Sequence, residues 1–178
     1  MSSALKNIIR FLLFILVQVF VLNKVPPLHQ FIVPYVYFLF ILWLPFSIPR
    51  LLLLAVGFLF GLSLDYFTGT PGLHAAPCTL IAYLRPFLLN ILIPKETTEI
   101  GYIEPSLKSM GFAPYALYVT LFTFLHHAYL VFIEWMQFGD LLYFLGKVMG
   151  TTAISLLLIV VTEMLLFRKG KFRTNAAA

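Results

Sequence analysis

Long apolar runs alternate along this chain with short stretches that hold proline, glycine or charge. A helix needs about 20 apolar residues to cross the hydrocarbon layer of a bilayer, at about 1.5 Å per residue. Six runs have that length: residues 5–22, 31–48, 51–67, 73–93, 115–136 and 141–167. The breaks between them follow known backbone chemistry. Asn23-Lys24-Val25-Pro26-Pro27 ends the first run, because proline clashes with the preceding turn and offers no N–H. Pro49-Arg50 separates the second from the third, and Thr68-Gly69-Thr70-Pro71-Gly72 has the composition of a turn. Residues 94–114 are the one long polar stretch, with Lys95, Glu96, Glu99, Glu104 and Lys108. A short turn at 137–140 precedes the last run. The pattern predicts an all-α integral membrane protein, a single polytopic domain over 1–178 built as a bundle of six transmembrane helices.

Composition agrees: the chain is 61% hydrophobic and 11% charged, against about 25% charged in ordinary soluble domains. A small domain cannot hide such an excess in one core, so lipid is the solvent that fits. The net charge of +5 does not mark a nucleic-acid surface. With the N-terminus inside, the cytoplasmic segments carry Lys6, Arg10, Arg50, Lys95, Lys108, Arg168, Lys169, Lys171 and Arg173, and the opposite loops carry only Lys24. That bias places both termini in the cytoplasm and requires an even number of spans. Lys6 and Arg10 before an apolar run resemble a signal peptide, but no small-x-small cleavage site follows, so the run reads as a retained helix. The lone Cys78 excludes an intrachain disulfide and reads as a small packing residue.

Charges inside the membrane ask for partners. Depth along the spans pairs Asp65 with Lys147 and Arg85 with Glu163; the alternative is that Lys147 and Arg85 extend to the nearest headgroups. Gly57, Gly61 and Asp65 recur every four residues and share a helix face. Gly57-x-x-x-Gly61 allows close approach of another helix, within this chain or from a partner. Gly69 and Gly72 join this candidate packing surface. For Asp65 the plainer reading is a buried acid satisfied by backbone N–H groups of the following turn. His127 and Glu134 lie seven residues apart on nearly one face, with His126 beside them, but a catalytic zinc generally needs three protein ligands. Neither H-E-x-x-H nor G-x-S-x-G occurs, and no Walker loop is present. Phe122-x-x-x-His126 matches one motif of prenyl-protease-like enzymes without its companion Glu-Glu-x-x-x-Arg. No metal, cofactor or catalytic group is therefore expected.

The stretch Gly61-Leu62-Ser63-Leu64-Asp65-Tyr66-Phe67-Thr68-Gly69-Thr70-Pro71-Gly72-Leu73-His74-Ala75-Ala76 resembles the signature of the MreD family of bacterial rod-shape-determining proteins. Ala82-Tyr83-Leu84-Arg85-Pro86 resembles one branch of it. The resemblance implies a non-enzymatic, multi-pass subunit of the bacterial inner membrane, acting in cell elongation and sidewall peptidoglycan synthesis. It also implies a bitopic MreC-like partner, with links to MreB and to RodA and its transpeptidase. That family's fold is in turn reminiscent of vitamin-binding subunits of energy-coupling-factor transporters. The second expectation is thus a small-molecule site lined by Asp65, His74, Glu134 and Lys147. A third is an intramembrane enzyme using His126, His127 and Glu134.

Overall fold

The computed structural model describes residues 3–24, 32–93, 103–136 and 140–166. The basic tail Arg168, Lys169, Lys171 and Arg173, and the stretch 94–102 with Lys95, Glu96 and Glu99, lie outside the described residues. Within them the chain is helical: α1 Ser3–Phe20, α2 Leu39–Leu42, α3 Arg50–Thr68, α4 Ala75–Leu92, α5 Leu107–Met110, α6 Phe112–Glu134 and α7 Leu141–Leu166. A 3₁₀ turn, Leu22–Lys24, follows α1. Among the described residues five helices are long and apolar enough to cross a membrane: α1 with its 3₁₀ turn, α3, α4, α6 and α7. Their outward faces carry Leu51, Ile91, Leu142 and Leu165, each more than three-quarters exposed, as lipid-facing side chains would be.

The expected helix over 31–48 does not form. Only Leu39–Leu42 is helical there, and residues 32–36 have no regular structure. Every residue from Pro34 to Leu44 is buried, so the segment is the centre of the bundle. Its course follows from its neighbours. Ile32 lies against Gly150, Tyr35 meets Ser155, and Trp43 meets Glu163, so the segment runs parallel to α7. Gln18 meets Val36 and Phe14 packs on Trp43, so it runs antiparallel to α1. From Gly150 to Glu163 α7 rises roughly 20 Å at about 1.5 Å per residue. The segment covers that length with fewer residues, because part of it is more extended than a helix.

The other boundaries fall close to the sequence reading. Two shifts have simple causes. Pro114 does not delay α6 to Tyr115, since proline is tolerated in a first helical turn. The polar stretch contains α5, whose N-cap Ser106 accepts from the Ser109 N–H while the Ser109 hydroxyl accepts from the Ser106 N–H.

Lipid tails are as apolar as leucine, so packing and hydrogen bonds hold such a bundle rather than the hydrophobic effect. The closest helix packing is α3 against α4. A Cβ built on Gly61 would stand 2.5 Å from the Ala75 Cα and 2.6 Å from the His74 carbonyl oxygen. One on Gly57 would stand 2.8 Å from the Ala82 Cβ and 3.2 Å from the Cys78 carbonyl oxygen. The Gly57/Gly61 face is therefore closed inside the protein and is not free for a partner. Cys78 is fully buried at the same seam. Gly69 and Gly72 belong to no helix seam; they take positive φ (69° and 87°) in the turn, where glycine has no steric penalty. A second seam is aromatic: Phe11, Phe40 and Phe60 pack mutually at 4.7–5.5 Å and join α1, α2 and α3.

Gly61→Leu should abolish folding or cost at least ~3 kcal/mol, because backbone of α4 is what a side chain would strike. Gly146→Ala, with nothing within 4 Å of the new Cβ, should be neutral or slightly stabilising. Folded yield and thermal unfolding in detergent check both; equal melting of the two variants would refute this account of the seam.

Candidate functional site

The central segment satisfies only part of its own backbone. The N–H groups of Leu39 to Leu44 donate within it, but those of Tyr35 and Val36 and the carbonyls of Pro34, Leu42 and Leu44 do not pair there. Water is not at hand inside a membrane protein. Buried polar side chains from four helices take up these groups instead. The Gln18 side chain acts like a neighbouring strand: its Nε2 donates to the Pro34 carbonyl (3.0 Å), and its Oε1 accepts the Val36 N–H (3.1 Å). The Tyr35 N–H donates to Ser155 Oγ (3.0 Å). Ser155 is held by His127, whose Nδ1–H donates to the Thr123 carbonyl (2.6 Å). In a neutral ring Nε2 is then the acceptor, and the Ser155 hydroxyl meets it at 3.2 Å.

The lower end of the segment is capped in the same way. Tyr118 Oη donates to the Leu42 carbonyl (3.0 Å). Arg85, 1% exposed, donates from Nε to Tyr118 Oη (3.1 Å) and from Nη2 to the Leu44 carbonyl. These are carbonyls that the short α2 leaves without a helical partner. Trp43 Nε1 donates to Glu163 Oε1 (3.0 Å), which also accepts from Tyr115 Oη. The expected Arg85–Glu163 ion pair is not formed. The segment lies between them, and each charge is committed to it or to the aromatic groups around it.

At the other end, Tyr37 Oη lies 2.9 Å from His74 Nδ1 and 2.9 Å from His126 Nε2. A hydroxyl has one proton, so it donates to one ring and accepts from the other. His126 Nδ1 is buried without a hydrogen-bond partner. His74 in turn is fixed by Asp65, whose carboxylate accepts backbone N–H groups of Gly72 (3.0 Å), His74 (2.7 Å) and Ala75 (3.0 Å). The acid thus closes the α3–α4 turn and sits at the N-terminus of α4, where the helix dipole favours negative charge. The expected Asp65–Lys147 pair is not formed. Lys147 pairs with Glu134 at 2.6 Å, on the neighbouring helix, which is nearer than α3.

That ion pair also dissolves the His126/His127/Glu134 trio. Glu134 serves Lys147, while the histidines serve Tyr37, Thr123 and Ser155. Among the described residues no group of three or more His, Cys, Asp or Glu is placed to hold a metal ion. The four residues expected to line an outward pocket are committed elsewhere: Asp65 to the backbone of the turn, His74 to Tyr37, and Glu134 and Lys147 to each other.

No family model, curated protein or solved structure matches this chain.

One charged cluster was not foreseen. Lys6 Nζ donates to both Glu104 carboxylate oxygens (2.9 and 3.0 Å), and Arg10 Nη1 donates to Glu104 Oε2 (2.9 Å). Arg10 also lies over the Trp43 ring, 5.6 Å from its centroid. The residues that signalled a cytoplasmic start to α1 therefore also tie α1 to the polar stretch before α5. No local sequence signal links positions so far apart. Burial by itself raises the Glu104 carboxyl, but the hydrogen bonds and charges of Lys6 and Arg10 outweigh it, and the group titrates below its ordinary 4.5.

Three outcomes follow from this network. Asp65→Leu and Asp65→Asn should both lower thermal stability by ~3 kcal/mol or more, since three N–H groups lose a charged acceptor. Tyr37→Phe should cost ~1–3 kcal/mol by orphaning two ring nitrogens. Wild-type melting in detergent for these variants would contradict the assignment. A carboxyl lowered by folding adds stability above its unfolded pKa, and that part is lost as pH falls through the folded value. The wild type should thus lose stability as pH drops below about 4.5 more steeply than Glu104→Gln, read from paired melting curves.

Proposed function

We propose that this chain is a non-enzymatic membrane subunit of the bacterial cell-elongation machinery, working by helix packing with a bitopic MreC-like protein. One observation carries the reading: the interior is closed on itself. Its buried polar groups hold the central segment, and the long helices among the described residues present mainly apolar side chains to other molecules. The resemblance in residues 61–76 supports the same reading, because Asp65, Gly69 and Gly72 there act together as one structural turn.

The topology we propose has six crossings, five by helices and one by the central segment. Its support is the direction of that segment, antiparallel to α1 and parallel to α7, which returns the chain to the side where it began. Both termini then lie on the cytoplasmic face of the inner membrane, where the basic residues favour them. With the Gly57/Gly61 seam closed, the partner helix needs another face. We assign it to α1, the least covered of the five long helices, whose Ile8, Leu12 and Leu16 are about half exposed in one stripe. MreB, RodA and its transpeptidase join through that partner in this scheme. A vitamin-type binding subunit is the weaker reading, since Asp65 is engaged by the turn, His74 by Tyr37, and Glu134 and Lys147 by one another.

Photoreactive side chains introduced at Leu12 and at Ile91, on α4, provide the test in cells that carry an MreC-like protein. Cross-linking to that protein from Leu12 and only to lipid from Ile91 is the expected result, with rounded cells when the gene is depleted. Rod-shaped cells after depletion, together with no protein adduct at Leu12, would end this reading. A reporter fused after Arg173 should be active only in the cytoplasm.

A further inference from the structure

A cavity of about 550 Å³ lies between α5, the N-terminal half of α6 and the C-terminal half of α7, within the about 300–1,000 Å³ usual for ligand sites. Its walls are mainly apolar, with Val119, Leu156 and Val160 among them. Phe112 and Val160 are 79% and 58% exposed, so the cavity opens sideways, where neighbouring helix faces meet lipid. A single helical turn, about 10 Å across and about 5.4 Å long, would fill most of it, so a flexible apolar chain fits and a spanning helix does not. It meets the network around the central segment only at Tyr115 and Glu163.

The charges at this end of the bundle decide what such a chain is attached to. Glu104 takes Lys6 and Arg10, and its backbone carbonyl accepts the Ser109 hydroxyl of α5. Glu163 lines the cavity, but its carboxylate already accepts from Trp43 and Tyr115. Arg10 lies over the ring of that same Trp43. Arg85 is spent on Tyr118 and the Leu44 carbonyl. Lys108, on α5, also lines the cavity; it is exposed and enters no ion pair among the described residues. Four cations, Lys6, Arg10, Arg85 and Lys108, thus stand here against two carboxylates, Glu104 and Glu163. The excess charge and the uncommitted charge are both positive, so the group that meets them is an anion. Lysine is a common point-charge ligand of phosphate.

We infer that this cavity holds one acyl chain of a phospholipid with a net-anionic headgroup, whose phosphate meets Lys108. The chain lies along the Phe112–Val160 wall, and the lipid's second chain stays in the bilayer beyond the opening. The charge balance selects the class. A zwitterionic headgroup brings its own ammonium into a region that already carries excess positive charge, and it is disfavoured there. Glu163 makes no contact with the headgroup in this arrangement; it keeps Trp43 and Tyr115. The inference stands apart from the partner reading, because it uses α5, α6 and α7 and not α1.

Native mass spectrometry of the purified full chain tests it, with phosphatidylglycerol and phosphatidylethanolamine of identical acyl chains, and the corresponding free fatty acid, added in turn. Phosphatidylglycerol should be retained about fivefold more than phosphatidylethanolamine, the ratio expected from one basic residue facing an anionic lipid. The fatty acid should be retained less than phosphatidylglycerol. Lys108→Ala should bring the ratio of the two phospholipids to about one, and Lys108→Arg should keep it. Val160→Trp, at an exposed wall position, should fill the cavity and remove the phosphatidylglycerol adduct while melting as the wild type does. Equal retention of the two phospholipids by the wild type, or a ratio unchanged by Lys108→Ala, would overturn the inference. So would a phosphatidylglycerol adduct unaffected by Val160→Trp, or a fatty acid held as well as phosphatidylglycerol. A photoreactive residue at position 160 that cross-links only to protein in membranes containing phosphatidylglycerol would overturn it too.

Discussion

A backbone that crosses a water-free medium must find a partner for every N–H and C=O, and helices meet that demand locally. Between Pro34 and Phe38 this chain gives up the local solution, and the four-residue α2 that follows restores it only in part. The rest of the bundle is arranged around the consequence. A non-helical segment at membrane depth is tolerated only where protein surrounds it, and here burial runs without a break from Pro34 to Leu44. The long helices therefore enclose a peptide, where a plain bundle would interlock side chains alone.

The buried polar residues make sense in that light. Gln18 pairs with the segment as a strand would, and Ser155 takes the Tyr35 N–H. Arg85 and Tyr118 receive the carbonyls at its lower end, as caps do for an ordinary helix terminus. Ionisable groups inside membranes are usually first suspected of transport or catalysis. Here backbone satisfaction accounts for Arg85, and Asp65 closes a turn by the same means. An interior committed in this way leaves outer faces and side cavities for recognition. The partner helix is accordingly proposed to dock on α1.

The helical seams depend on small residues as much as on large ones. Gly57 and Gly61 bring α3 and α4 close enough that backbone atoms of one stand where the other would place a Cβ. That approach delivers His74 to Tyr37 and so positions the upper end of the segment. Glu104 does similar work at the opposite end, drawing Lys6 and Arg10 toward the stretch before α5.

The sequence by itself determined the membrane character, the ends of the long helices and the small-residue seam, because these follow from local hydrophobic run length, proline and i, i+4 spacing. It also contained the right account of Asp65, as an acid bound by the turn that follows it, beside the ion pair that did not form. Only the tertiary structure decided that residues 31–48 would not be a helix. That run is as apolar as its neighbours, and a segment buried on all sides has no periodicity to betray its backbone. Pairings such as Lys6–Glu104, Lys147–Glu134 and Arg85 with the Leu44 carbonyl were settled at the same level. Each joins positions distant in the chain, and which charges meet depends on how the helices pack around the central segment.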